Sequence, residues 1–352
     1  LQMTIGENAE LYLGENDPYL FKRAKVLVVN FIGLGKYQEA LDLAPALVES
    51  LKEVSGEKHS DTLDQTGYLV VCLIELGRVN EAFELQKSVI ESSKEVEVTE
   101  KNDSTHFGRF DHLATILLHM GRYDEAHQIQ SSLLKDVLAA KGDKHPMTMR
   151  VTHNLSMIYV YLERYDEALQ LQEPLLEQSK MIYGNDHPQT LSELHLYGVI
   201  LTALEEYEKA LQVQESLYKT SQKILGEEHT LTLKTLQSIA STLNHLGRHA
   251  EAIELRRKMT KLLQKNLGKE NPEVLKSLDD LAVALYKFGK YNDALEIQQP
   301  LLDVSKRVLE ETHHMRLEIL CHTVITLYEL ARYQEIPQIV SPFLPELSAK
   351  VL

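Results

Sequence analysis

One six-residue phrase recurs eight times along the chain. It reads Gly35-Lys36-Tyr37-Gln38-Glu39-Ala40, then Gly77-Arg78-Val79-Asn80-Glu81-Ala82 and Gly121-Arg122-Tyr123-Asp124-Glu125-Ala126. Glu163 to Ala168, Glu205 to Ala210, Gly247 to Ala252 and Gly289 to Ala294 follow, and the last copy runs from Ala331 to Ile336. The step is 42 residues every time but one, from Gly77 to Gly121, where it is 44. A period of about 20–50 residues means a supersecondary unit that buries its apolar face only by stacking on its neighbours. The expectation is one repeat array over residues 1–352, with units starting near 17, 59, 103, 145, 187, 229, 271 and 313.

A second phrase runs ahead of the first, its histidine or asparagine 18 residues before the glycine position. Its copies include Gly56-Glu57-Lys58-His59, Gly142-Asp143-Lys144-His145-Pro146, Gly184-Asn185-Asp186-His187-Pro188 and Gly268-Lys269-Glu270-Asn271-Pro272, with Asn102-Asp103-Ser104 degraded beside the longer step. A glycine that closes one helix, a polar cap and a first-turn proline are helix punctuation. Each unit therefore holds two helices, and the chain is all-α. Leu155, Ile158, Tyr159 and Leu162 in a first helix, and Ala168, Leu171, Leu175 and Leu176 in a second, repeat at helical spacing. Small residues recur where the two helices cross: Val28, Val70, Ala114, Ser156, Gly198, Ala240, Ala282 and Val324, facing the alanines Ala40 to Ala294. Gln86, Gln130, Gln172, Gln214 and Gln298 share another column and are expected to bond neighbouring hairpins. Pro174, Pro300 and Pro342 share a column well inside the second helices, where a lost donor and a steric clash predict a bend or break.

These residues resemble tetratricopeptide repeats: the small residue of the first helix, the alanine of the second and the Gly-Lys/Arg-Tyr-x-Glu-Ala turn. The 42-residue period with Tyr183-Gly184-Asn185-Asp186-His187-Pro188-Gln189-Thr190-Leu191 between units is similar to the kinesin light chain subclass. The resemblance implies a right-handed α-solenoid of about eight helix–turn–helix repeats. The same repeat serves motor adaptors and the sensor arrays of large signalling ATPases, so fold alone does not assign function.

Charge and chemistry narrow the choices. A net charge of −15 disfavours nucleic acid, which needs a basic stripe, and anionic membrane surfaces. No apolar run approaches the ~18–20 residues of a membrane span. Two distant cysteines, Cys72 and Cys321, exclude a disulfide framework and point to a reducing, cytoplasmic setting. The chain has no phosphate loop, nucleophile elbow or dinucleotide fingerprint, so no catalytic residue and no cofactor is expected. Of the fifteen histidines, five (His59, His145, His187, His229, His313) recur in the inter-repeat turn as caps, and none pairs with a third ligand as a metal site would require.

The resemblance places the binding groove on the first helices, at i, i+4, i+7 and i+11 of each unit. Unit four contributes Arg150, Asn154, Met157 and Tyr161. Unit five contributes Leu196 and Val199 as an apolar floor, unit six Lys234, Ser238 and His245, and unit seven Lys276, Asp280 and Lys287. Four cations stand there against one carboxylate, in an acidic protein. The expected function is a scaffold or adaptor that holds a protein or peptide, acidic and with an apolar anchor. The alternatives are the sensor or oligomerisation arm of a larger signalling ATPase and, behind both, an enzyme or small-molecule binder on the same scaffold.

Overall fold

The two phrases build the helix boundaries atom by atom. In the first, the residue in the glycine position turns left-handed (Gly247 has φ 74°) and closes the preceding first helix. Arg248 N–H donates to Leu243 C=O at 2.8 Å and Gly247 N–H to Asn244 C=O at 3.1 Å, so the orphan carbonyls of that helix are satisfied in a Schellman turn. Arg248 then clasps Glu251 through Nε and Nη2, both at 2.7 Å. The alanine that follows is 0 % exposed in all seven repeats that carry it. In the second phrase, Gly184 closes a helix at φ 88°, ψ 167°, a region essentially reserved for glycine. His187 Nδ1 accepts the Gln189 amide at 3.1 Å and Pro188 fills a position that needs no donor. His59, His145 and His229 cap their helices in the same way, and Asn271 does so with its side-chain oxygen. The threonine of the phrase ties one helix to the previous: Thr232 Oγ1 donates to Gly226 C=O at 2.8 Å.

The computed structural model describes residues 18–33, 36–57, 59–93, 104–309 and 314–343. Gly14 to Asp17, Gly35, Asn102-Asp103 and His313, part of the repeating phrases, lie outside the described residues. The chain divides into two compact units, Leu1–Asn185 and Asp186–Leu352. The first contains α1 (Pro18–Gly33), α2 (Tyr37–Ser55), α3 (Ser60–Glu75), α4 (Val79–Ser93), α5 (Ser104–His119), α6 (Tyr123–Lys141), α7 (Pro146–Tyr161) and α8 (Tyr165–Tyr183). The second contains α9 (Pro188–Ala203), α10 (Tyr207–Ile224), α11 (Thr230–His245), α12 (His249–Leu267), α13 (Pro272–Lys287), α14 (Tyr291–Val308), α15 (His314–Glu329) and the short α16 (Ile336–Val340). Odd-numbered helices are the first of each pair. The fold is an all-α helix–turn–helix solenoid, and no strand occurs among the described residues.

Within each unit every helix packs on the next, and first helices of successive pairs also touch, α1 with α3, α3 with α5, α5 with α7, α9 with α11 and α13 with α15, while α11 and α13 approach less closely. Second helices make no comparable contact with one another. The first-helix side is therefore the tighter, inner side of each unit, the geometry that makes a concave binding surface. The small columns permit the close crossing: Ser156 Oγ donates to Ala168 C=O at 3.1 Å, and a Cβ on Gly198 would lie 3.0 Å from Gln214 Cγ. The glutamine column joins neighbours. Gln86 Nε2 donates to Arg109 C=O at 2.7 Å, and Gln130 Nε2 to Val151 C=O at 3.1 Å, each in the following repeat. Gln214 binds Gly198 C=O of its own repeat and accepts from Thr242 of the next at 2.8 Å.

The proline expectation needs correction. Helices α8 and α14 run unbroken through Pro174 and Pro300, and α2 does so through Pro45. All three prolines are exposed, on the outer face. There water can serve the carbonyl that loses its amide, while packing on both flanks holds the helix straight enough to continue. Only the last repeat breaks. Its second helix shrinks to α16, five residues that include Pro337 and stop short of Pro342, flanked by 3₁₀ turns Tyr333–Glu335 and Ser341–Phe343.

Candidate ligand-binding face

In the first unit the stripe on α7 is organised by a carboxylate beneath it. Asp111 on α5 is 2 % exposed and serves three donors. Gln130 Nε2 lies 2.8 Å from its Oδ1 and Asn154 Nδ2 2.9 Å, while Arg150 Nε is 3.0 Å from Oδ2. A buried charge fully bonded in this way is tolerated; one left bare would be costly. Arg150 Nη2 also donates to Met147 Sδ at 3.0 Å, so two of its five N–H groups are engaged although half the side chain is exposed. Met157 is half-buried against the Leu117, Leu118 and Ile158 cluster. Tyr161 stands 52 % exposed and stacks on Tyr123, ring centroids 5.3 Å apart.

In the second unit the same columns carry bare cations. Lys234, Lys276 and Lys287 are exposed, and none forms an ion pair with a described residue. Helix α11 has no carboxylate, and those of α9 and α13 lie deeper: Glu193 is 0 % exposed, Asp279 7 %, and Asp280 is half-buried. Only Glu273, in the first turn of α13, is exposed. Burial pushes the Asp280 carboxyl above the usual carboxylate range, against the pull of Arg256 and Lys276. His322 Nδ1 lies 2.9 and 3.1 Å from the two oxygens of Asp279, and that hydrogen bond raises the imidazole pKa. Ser238 is half-buried, with Oγ donating to Lys234 C=O at 3.1 Å. His245 is exposed and stacks on Tyr207 with centroids 4.9 Å apart. Leu196 is 6 % exposed and gives the face almost no surface; the half-buried Val199 is the apolar side chain a ligand would meet there.

The face differs from the outer one. A cleft between α10 and α12, over Leu236, Ile239 and Leu243, is rimmed by Glu215, Glu251 and Glu254. Two of those rim carboxylates are already paired, with Arg248 and Arg257. Among the described residues no group of three or more His, Cys, Asp or Glu could hold a metal ion, and no helix is long and apolar enough to cross a membrane.

The profile of the family described as Tetratricopeptide repeat matches four overlapping stretches, residues 109–173, 151–223, 194–265 and 231–299. Together they cover more than half of the chain. The chain belongs to the tetratricopeptide repeat family. No curated protein sequence matches it. Solved tetratricopeptide-type structures resemble it in fold. One holds the nearly identical repeats of a kinesin light chain from Podosopora anserina, with 20 % identity, TM-score 0.48, and coverage of 59 % of this chain and 98 % of that one. A second is NprR in complex with its cognate peptide NprX, with 15 % identity, TM-score 0.56, and coverage of 89 % of this chain and 88 % of that one. A third is a signal-transduction ATPase with a tetratricopeptide repeat sensor from Pyrococcus horikoshii, with 13 % identity, TM-score 0.61, and coverage of 97 % of this chain and 52 % of that one.

Four side chains of this tetratricopeptide array were not singled out from sequence. Asp111 and Asp279 occupy the same repeat position, and each binds a residue 43 positions on, Asn154 and His322. Arg256 stands where five other repeats carry the column glutamine. The signal was a break in a column, visible only once the column's role in joining repeats is known.

Proposed function

We propose that this tetratricopeptide array is a cytoplasmic scaffold that holds a protein or peptide segment of acidic character along its first-helix face, with apolar contact near Val199. The observation that carries the reading is the inversion of charge on that face. In a chain of net charge −15, the lysines of α11 and α13 stand exposed and outside any ion pair with a described residue, while α11 carries no carboxylate and of the three on α13 Asp279 is buried, Asp280 half-buried and only Glu273 exposed. A ligand carboxylate meeting such a lysine makes a charge-assisted contact worth roughly 1–3 kcal/mol. The peptide seated on NprR supports a peptide-sized ligand for this fold.

The test is a titration with acidic peptides at two salt concentrations, on the wild type and on Lys234→Glu. Affinity should fall about tenfold in the variant, and should fall with salt, because exposed charge pairs are screened over ~8–10 Å. Equal affinity in all four titrations refutes the reading. A second reading, the sensor or oligomerisation arm of a larger signalling ATPase, draws support from the archaeal ATPase, whose fold spans 97 % of this chain. A reading frame with no nucleotide-binding domain beside the repeats would exclude it.

A further inference from the structure

Arg256 is out of place in its column. Gln86, Gln130 and Gln214 there spend their amides on backbone carbonyls, a carboxylate and threonine hydroxyls. The longer arginine reaches past those partners from α12 to Asp280, a stripe position on α13, the first helix of the next repeat. It stops short of bonding: Nη1 lies 3.9 Å from Oδ2, where a charge-assisted N–H···O bond needs about 2.7–2.9 Å. Nε has no hydrogen-bond partner at all. The side chain is 14 % exposed, enough to be reached from the face and too little to be served by bulk water. Burial lowers the guanidinium pKa in consequence. Gln298, further along the column, also lacks side-chain partners, but it is sealed at 0 % exposure and no ligand can reach it.

A desolvated guanidinium with unspent donors is costly unless something completes it. Its nearest carboxylate is held at arm's length, is half-buried, and shares its neighbourhood with Lys276, Asp279 and His322. We infer that Arg256 is a ligand-binding residue of the first-helix face, taking the carboxylate of an aspartate or glutamate side chain of the bound segment, with Asp280 as the built-in competitor that keeps the site from closing on itself. The inference rests on the acidic-segment reading above. It adds a buried, geometrically demanding contact to what the exposed lysines offer. Arginine suits that role through its planar fork, which grips a carboxylate with two parallel bonds.

The experiment uses a fluorescein-labelled hexaglutamate peptide, followed by anisotropy at low salt against the whole chain. Four proteins are compared: wild type, Lys234→Glu, Arg256→Gln and Asp280→Asn, with thermal melts of each. Glutamine is the residue native to this column, so Arg256→Gln should melt at or above the wild-type temperature while binding at least tenfold more weakly. Asp280→Asn should bind several-fold more tightly, and adding Arg256→Gln to it should erase the gain. If Lys234→Glu weakens binding but Arg256→Gln and Asp280→Asn do not change it, the face reading stands and the assignment of Arg256 falls. A clearly lower melting temperature for Arg256→Gln would make the guanidinium a structural group and overturn the proposal. Failure of hexaglutamate to bind the wild type, or indifference to Lys234→Glu, overturns the face reading and Arg256 with it.

Discussion

Glu163, Glu205 and Ala331 hold a left-handed backbone, at φ 58°, 63° and 55°, in the column where other repeats have glycine. The Schellman bonds form regardless; Glu206 N–H reaches Leu201 C=O at 2.9 Å. A Cβ in this region costs roughly 1–2 kcal/mol. Glu205→Gly should therefore stabilise the protein by about 0.5–1 kcal/mol, net of the extra freedom glycine gives the unfolded chain, read as a higher melting temperature. Two histidines respond to pH with opposite signs. His112, packed over Gly67, is lowered by burial to about 4. A depressed histidine pKa contributes stability above its ordinary value of 6.5 that is lost as pH falls towards 4, on the order of 2–3 kcal/mol. His322, raised by Asp279, contributes stability that is full below the ordinary value and lost as pH rises through its folded pKa. A histidine NMR titration should find His112 neutral throughout the near-neutral range and His322 titrating above the free value. Free-histidine behaviour at both would contradict the burial and the ion pair.

At the scale of helices, most of what the structure shows was legible in advance. Glycine, cap and proline positions mark the ends of α7, α9 and α13, and the buried alanines mark the crossings. The prolines of α8 and α14 misled because propensity is local, while exposure and flanking contacts are tertiary. Since Pro174 still removes one backbone bond, Pro174→Ala should stabilise α8 by about 1–2 kcal/mol, below the ~3 kcal/mol of an unsupported helix; a lower melting temperature would show that the proline is needed there. The candidate face was less legible. Periodicity finds the columns, but it does not reveal that Asp111 already occupies Arg150 and Asn154, or that Leu196 is sunk beneath the surface. Those facts depend on partners one repeat away. The end of the array should be its weak point. Its second helix is reduced to α16, which leaves the last repeat less surface to pack on the one before it. Amide protons in residues 314–343 should exchange faster than those in α9 to α11, and the reverse order would contradict this.

For the molecule as a whole, the pattern of contacts matters more than any single contact. Within each unit, Gln86, Gln130 and Gln214 and the carboxylates Asp111 and Asp279 bond one helix pair to the next, and contacts there jump no further than the adjacent repeat. Stability in such an array is close to a sum over repeats and nearest-neighbour interfaces. The spaced threonine, histidine and glycine bonds that end each second helix are thus mechanical seams as well as caps. Pulled from its two ends, the chain should part at these seams one repeat at a time. Each rupture would release 42 residues, or 44 at the one longer step, a contour of roughly 140–160 Å at about 3.3–3.6 Å per residue. An optical-tweezers record would then show a ladder of equal extensions. A single all-or-none rupture would mean that the repeats are welded more widely than their contacts suggest. Under tension, the period written in the sequence becomes the step of a ratchet.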